Sequence, residues 1–295
     1  MGTSSSYGGP GGKTPLVPSW LGSGSGDSSD DGNDGLNGGN EGENEDAPPN
    51  LPSAPAPRPF PPLPDVGRFQ TARKNFTRYA KSGGNDRASL GRAVSGYVSR
   101  AAGGHRQAAQ RMGSSTITGA NLANFLTTAS SRGAREALRS LNLENLAGRP
   151  IEEIFLGLAD YVCPEGGTVD EGIARGAFIE TIADLAEFGV TDLDSLSADQ
   201  MQTVLELYAS HAIEARLCND IGTKICIAPT DVPAFERIQD QLHDFILRGV
   251  SDALTLARVE LETLTQDRTL QFVESIYEQA FSILQNLGDQ EAQTV

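Results

Sequence analysis

Residues 231–265 read DVPAFERIQDQLHDFILRGVSDALTLARVELETLT, which is the longest amphipathic stretch of the chain. Apolar side chains recur there every three or four positions, and carboxylates fill many of the positions between them. This spacing gathers the apolar residues on one stripe of an α-helix, and such a stripe must be buried against other elements. The stretch therefore predicts a long helix that begins near Asp231 and Pro233 and ends at about Thr265.

The same helical period runs through the rest of the chain from residue 67 onward. Segments with apolar residues at three- and four-residue steps predict helices over 69–81, 87–112 with a break at Gly103 and Gly104, 121–131, 134–146, 151–162 and 267–287. Two further helices open at capping boxes: Thr168 with Glu171, and Ser197 with Gln200. The β-branched run KICIAPTD at 224–231 suits one short strand or an extended loop. Because no alternating strands of convincing length occur, residues 67–295 are predicted to form an all-α domain.

Residues 1–66 have a different composition, since they hold 12 of the 16 prolines and 13 of the 33 glycines. Such a segment cannot bury enough apolar surface to offset the conformational entropy of ordering it, so it is predicted to be a disordered tail. Residues 47–64 contain 9 prolines in 18 positions, which predicts an extended polyproline II spacer.

An apolar motif at 14–21 stands before that spacer and contains the only tryptophan of the chain, Trp20. An aromatic residue tethered in this way is typical of a recognition motif, although docking of Trp20 on its own domain is an equal alternative. The residues predicted to bind a partner are Thr14, Pro15, Leu16, Val17, Pro18, Trp20 and Leu21.

Charge divides the chain into three parts. Residues 1–66 have a net charge of −7, residues 67–150 of +11 and residues 151–295 of −20. The simplest use of this division is to hold the basic part against the acidic part or against a second copy. The alternative is that the basic segment, residues 68–111, tracks the phosphates of a nucleic acid. Its candidate contact residues are Arg68, Arg73, Lys74, Arg78, Arg92, Arg100, Arg106 and Arg111.

Several classes of protein are disfavoured by what the sequence lacks. The segment GGPGGKT at 8–14 is no phosphate-binding loop, because Tyr7 stands where that loop needs a glycine. The spacing of Cys163, Cys218 and Cys226 suits neither a zinc site nor a redox motif, and Cys218 and Cys226 are predicted to be buried thiols. No apolar run approaches the length of a membrane span, and no secretory signal is evident. We expect a cytoplasmic protein that contacts no membrane.

Histidines are the remaining candidates for chemistry. His211 with Glu214, or His243 with Asp240 or Asp244, could form half of a metal or acid–base site. Each histidine lies within a predicted amphipathic helix, where a histidine at the edge of the core is the commoner reason for this pattern. The sequence therefore predicts no catalytic residue, no metal ligand and no cofactor.

Three segments resemble the QatB family, whose members belong to the bacterial Qat anti-phage system. They are MGTSSSYGGPGGKTPLVPSW at 1–20, GYVSRAAGGHRQAAQRM at 96–112 and SSTITGANLANFL at 114–126. The resemblance implies an operon that also encodes a P-loop ATPase, a QueC-like enzyme and a TatD-like nuclease. It also implies that this chain is the non-enzymatic member.

The resemblance gives the start of the chain a chemical interpretation. QueC enzymes activate a carboxyl-deazaguanine with ATP and pass it to an amine, and removal of Met1 would expose the Gly2 amine, with a pKa near 8. We expect a protein that serves as an adaptor and as an N-terminal modification substrate of the QueC-like partner, with residues 14–21 as the docking sequence. The alternatives are an unmodified Gly2, a nucleic-acid-binding subunit that uses residues 68–111 to bring the nuclease to phage DNA, and a cryptic hydrolase.

Overall fold

The computed structural model describes residues 67–163, 166–187, 193, 197–222, 232–257 and 264–294. Within these ranges it contains ten α-helices and no strand, so the predicted all-α fold is confirmed there. The helices are α1 Gln70–Lys81, α2 Arg87–Gly96, α3 His105–Gln110, α4 Gly113–Arg132, α5 Ala134–Ser140, α6 Ile151–Val162, α7 Val169–Glu187, α8 Ala198–Ile221, α9 Val232–Leu256 and α10 Thr269–Gln293. None of these helices is long and apolar enough to cross a membrane. The predicted tail and the segment 224–231 lie outside the described residues.

Both predicted capping boxes form. The Thr168 amide donates to Glu171 Oε2 at 2.9 Å and the Glu171 amide donates to Thr168 Oγ1 at 3.3 Å. At the start of α8, the corresponding bonds between Ser197 and Gln200 measure 2.8 and 3.2 Å. Because each box satisfies two amides that have no partner inside the helix, these local sequences fix where α7 and α8 begin.

Helices α4 and α5 differ from their predicted bounds. Helix α4 begins at Gly113, eight residues before the predicted start at Asn121. Its first turns bury polar side chains, Ser115, Thr116 and Thr118, which carry no apolar period. Helix α5 ends at Ser140 because Asn142 adopts a left-handed conformation with φ of 59°, and a short 3₁₀ turn replaces the rest of the predicted helix.

The last two helices also depart from prediction. Helix α9 ends at Leu256 instead of Thr265. Helix α10 continues to Gln293, past the predicted end at Leu287, because its last turns pack against α2. The extra turns of α10 include Gly288, which is buried in that contact.

The helices pack as two connected groups around one core. Helix α10 lies against α2, α3, α4 and α9, while α7 lies against α4, α6 and α8. The second group is held by aromatic rings, since Phe155 stacks on Phe178 with centroids 6.0 Å apart and meets Phe125 edge-on at 6.4 Å. On α7, Ile179 is 41% exposed and takes no part in this core.

A π-helical turn, Tyr97–Ala102, joins α2 to α3. It ends at the predicted break, where Gly103 and Gly104 have φ of 94° and 107°. A residue with a Cβ is strained at such angles, so the two glycines let the chain turn into α3. The π turn buries Tyr97, which becomes part of the polar cluster described next.

Candidate functional site

The basic segment meets the acidic part of the chain along α10. Arg87 forms a two-pronged pair with Glu291, with both nitrogen–oxygen distances 3.2 Å, and Arg106 Nε lies 2.8 Å from Glu278 Oε1. The two arginines are more than half exposed, so each pair stabilises the fold little on its own. Together they orient the basic segment against α10, as the charge division predicts.

Asp220, near the end of α8, is the buried centre of a second contact with the basic segment. The Tyr97 hydroxyl donates to its Oδ2 at 2.9 Å, and Arg111 Nη2 lies 3.5 Å from the same oxygen. Arg73 Nε donates to the Asp220 backbone carbonyl at 2.8 Å. Burial, and then the Asp220 charge, raise the pKa of Tyr97 well above its usual range, so the hydroxyl stays a donor.

Phe69 completes this junction. It packs on Tyr97 with ring centroids 6.1 Å apart. The guanidinium carbons of Arg68, Arg73 and Arg111 lie 4.9, 5.4 and 5.0 Å from its ring centroid. Cations at this distance over a ring face are attracted by its negative face. The start of the described structure is therefore fixed to α8 by aromatic and charged contacts together.

The eight basic residues predicted to contact nucleic acid consequently fall into two sets. Five take part in the contacts just described or in bonds within α2 and to α10: Arg68, Arg73, Arg92, Arg106 and Arg111. The other three, Lys74, Arg78 and Arg100, are exposed, and none forms an ion pair with a described residue within 4 Å. Lys74, Arg78 and Arg100 are therefore exposed without such a contact. Arg73 and Arg106 are exposed as well, but each bonds to another helix of the domain.

Two histidines come together between α7, α8 and α9. Their rings, His211 and His243, are 4.7 Å apart between centroids and inclined by 35°. His211 Nε2 lies 2.7 Å from Asp184 Oδ2, and His243 Nδ1 lies 2.9 Å from Glu214 Oε2. All four side chains, hereafter the histidine cluster, are partly buried, with 14–33% of each exposed.

The two histidines do not pair with the residues that the sequence offered as an alternative to a position at the edge of the core. His211 pairs with Asp184 of α7 instead of Glu214 one turn along its own helix, and His243 pairs with Glu214 of α8 instead of Asp240 or Asp244. A histidine can bond to a carboxylate on its own helix or to one on a neighbouring helix. Because α8 packs between α7 and α9, each histidine here bonds to a carboxylate of a neighbouring helix. The hydrogen bond to Glu214 raises the pKa of His243, although burial opposes that shift.

A buried ion pair lies elsewhere between α7 and α8. Arg216 Nη2 is 2.9 Å from Asp170 Oδ1, and the two side chains are 1% and 3% exposed. This pair was not predicted, because both residues belong to helices with many other charged side chains. Within the described residues, Arg216 Nε and the nearby Tyr277 hydroxyl have no hydrogen-bond partner.

The cysteines that the structure describes agree with the predicted thiols in part. Cys163 is buried and Cys218 is half-buried. Burial raises the pKa of Cys163 to about 11. Cys226, together with Gly2 and the motif at 14–21, lies outside the described residues, so those predictions stay predictions.

Comparison with known proteins gives one match. The family model described as Qat anti-phage system associated protein QatB matches residues 103–284, more than half of the chain. The match begins just before α3 and ends within α10, so it includes Asp220 and the whole histidine cluster. No curated protein and no solved structure matches the chain.

Proposed function

The chain belongs to the QatB family of Qat anti-phage system associated proteins, and we propose that it serves this defence system as a non-enzymatic adaptor. In this role the helical domain binds other components of the system, while the segment before residue 67 carries the motif at 14–21 to a QueC-like enzyme. The P-loop ATPase and the TatD-like nuclease are the further partners implied by the family.

One observation carries this proposal: four of the ten basic residues at 68–111 form ion pairs with described residues, and three of these pairs are with the acidic C-terminal part of the chain. Three carboxylates form ion pairs with arginines of the segment, at nitrogen–oxygen distances of 2.8–3.5 Å. They are Glu278, Glu291 and Asp220. An arginine that holds α10 or α8 in place is not free to release counterions from a phosphate backbone. This supports a protein that binds protein partners over one that binds phage DNA through residues 68–111.

A second observation supports the adaptor arrangement. Phe69 packs on Tyr97 and lies beneath three arginines, at the point where the described structure begins. A segment that leaves the domain from an anchored residue has a defined point of attachment, so a motif that ends 48 residues before Phe69 searches a limited volume around the domain.

The proposed modification is an amide bond to the amine of Gly2. After loss of Met1, the amine nitrogen attacks the carboxyl carbon of a deazaguanine that the QueC-like partner has activated with ATP. The activating group leaves with its bonding electrons, and the amine gives up a proton. The helical domain supplies no group to this step, because the chemistry belongs to the partner.

Intact-mass measurement of the chain co-expressed with its operon tests the modification. We expect an adduct that peptide mapping locates on Gly2, and we expect its loss when the QueC-like gene is omitted. An unmodified Gly2 in an operon that still protects cells from phage would refute the conjugation step and leave the adaptor role standing.

Replacing Trp20 tests the adaptor. We expect Trp20→Ala to abolish capture of the QueC-like partner and phage defence without changing the melting temperature of the helical domain. Tyr7→Ala is the matched control, since it removes an aromatic residue outside the motif at 14–21. A melting temperature lowered by several degrees in Trp20→Ala would mean that Trp20 packs on its own domain.

Nucleic-acid binding is the alternative function. Its candidate residues are Lys74, Arg78 and Arg100, which are exposed and form no ion pair with a described residue. Binding through several phosphates must weaken steeply as salt rises. We expect little affinity for duplex DNA even at low salt, and no further loss when the three residues are replaced by alanine. Salt-dependent binding that this triple variant loses, and that Arg132→Ala retains, would favour the DNA-binding subunit.

A further inference from the structure

The histidine cluster has the composition and placement of a metal site. We propose that Asp184, His211 and His243 bind one divalent transition-metal ion of the zinc class. In this arrangement Glu214 is a positioning residue that holds the ring of His243. The inference does not depend on the adaptor role, because it concerns only side chains of α7, α8 and α9.

The ligand atoms lie close enough to converge on one ion. One ring nitrogen of each histidine and one carboxylate oxygen of Asp184 lie within 4.8 Å of one another. Around a tetrahedral Zn²⁺ with bonds of about 2.0–2.1 Å, ligand atoms stand about 3.4 Å apart. The cluster therefore needs movements of less than about 1.5 Å, which side-chain torsions can supply without displacement of the helices.

Glu214 is placed to orient the ring of His243 for a metal ion without binding the ion itself. Histidines that bind metals usually donate their second ring N–H to a carboxylate, which fixes the ring and its tautomer. Glu214 Oε2 lies 2.9 Å from His243 Nδ1, so His243 Nε2 is the nitrogen left for the metal. On α8, Glu214 is one turn from His211, so one helix supplies both a ligand and the positioning carboxylate.

The donor set selects the kind of ion. Two imidazole nitrogens and one carboxylate suit zinc and neighbouring transition metals, whereas magnesium and calcium prefer oxygen ligands alone. Three protein ligands leave a fourth position of a tetrahedral ion to water.

Charge and access also favour an ion at this place. With neutral histidines the cluster carries the two carboxylates Asp184 and Glu214, and the charge of Asp244 also acts on His243. A divalent cation neutralises two of these charges. The ligands are 14–33% exposed, so an ion enters from solvent without opening of the core.

Zinc titration of the full chain, dialysed against EDTA and kept reduced, tests the proposal by calorimetry near neutral pH. We expect one equivalent to bind. His211→Asn and His243→Asn should each weaken binding at least about 100-fold, and Glu214→Gln should weaken it about 10-fold. The chain offers a matched control in its third histidine, since His105 lies on α3 beside Glu278 and His105→Asn should bind like the parent.

Two results would overturn the proposal: absence of stoichiometric zinc binding by the parent chain, or binding that His243→Asn leaves intact. Cobalt substitution provides a readout that does not need a folded variant. Co²⁺ in the parent chain should give the visible bands of a tetrahedral nitrogen and oxygen site. A strong thiolate charge-transfer band would instead place the metal on cysteines and refute the assignment.

Discussion

A Cβ placed on Gly91 of α2 would stand 2.5 Å from the carbonyl oxygen of Gly288 in α10, and one placed on Gly288 would stand 2.7 Å from the carbonyl oxygen of Gly91. Each glycine thus makes room for the backbone of the other helix. Ser95 donates a hydrogen bond to Asp289 beside this contact. The close approach of α2 and α10 brings the basic segment to the carboxylates that neutralise it.

Gly91→Ala should destabilise the domain by about 1–3 kcal/mol, because the added methyl group meets backbone and not a movable side chain. Gly96→Ala is the control: it lies in the same part of the chain at φ of −66°, with nothing within 4 Å of its added Cβ. We expect that control to be neutral or to stabilise by up to about 1 kcal/mol. Urea unfolding followed by circular dichroism measures both, and equal midpoints for the two variants would contradict the packing.

Breaking the buried Arg216–Asp170 pair should cost about 3–5 kcal/mol, because the remaining charge stays buried after its ion-pair partner is removed. Asp170→Leu and Arg216→Met are the single replacements. The double replacement Asp170→Leu with Arg216→Met should recover more than half of the single losses, since it leaves no buried charge. Losses that simply add in the double variant would show that the two side chains act independently.

Asp86 caps α2, accepting from the Ser89 amide at 2.9 Å and from its hydroxyl at 2.6 Å. Asp86→Ala should therefore cost about 1 kcal/mol at neutral pH. The bonds from the Ser89 side chain and backbone lower the pKa of Asp86 below its unfolded value of about 3.9. The ionised cap thus stabilises above that value, and its contribution is lost as pH falls through the lower folded pKa.

Urea midpoints between pH 7 and pH 3 check this dependence. The difference between the urea midpoints of the parent and Asp86→Ala should become smaller below about pH 4. Asp86→Asn keeps a capping oxygen but has no titrating group at this position. The difference between its urea midpoint and that of Asp86→Ala should therefore not vary with pH.

Cys163 should resist alkylation. Burial raises its pKa to about 11 from an ordinary value of 9.0, so only about one hundredth as much thiolate is present near pH 8. Mass spectrometry of the protein after timed exposure to iodoacetamide should find Cys163 unlabelled in the folded state and labelled in urea. Rapid labelling without denaturant would show that α6 opens readily around this residue.

The parts of the fold that were predicted correctly depend on nearby residues. Thr168 and Glu171 form their box from three positions along the chain, and Ile151–Val162 has a clear apolar period that gives α6 its observed bounds. The start of α4 was missed because Ser115 and Thr118 are buried there through tertiary packing. Helix propensity depends on the local sequence, so it does not predict such tertiary contacts.

The histidine cluster shows the same limit more sharply. His211 and Asp184 are 27 positions apart, and His243 and Glu214 are 29 apart. The residue types and their helices could be predicted, but their pairing follows from which helices become neighbours. The central role of Asp220 was missed for the same reason, since its partners Tyr97 and Arg111 lie more than 100 positions earlier in the chain.

The contact between α2 and α10 has a consequence during synthesis. At about 5–20 residues per second, α2 leaves the ribosome roughly 10–35 s before the first residue of α10. During this interval the glycine-lined face of α2 and the nearby arginines are not covered by α10. The domain can therefore close only after α10 has been synthesised, and a chain that stops before Thr269 leaves α2 and the neighbouring N-terminal helices uncovered.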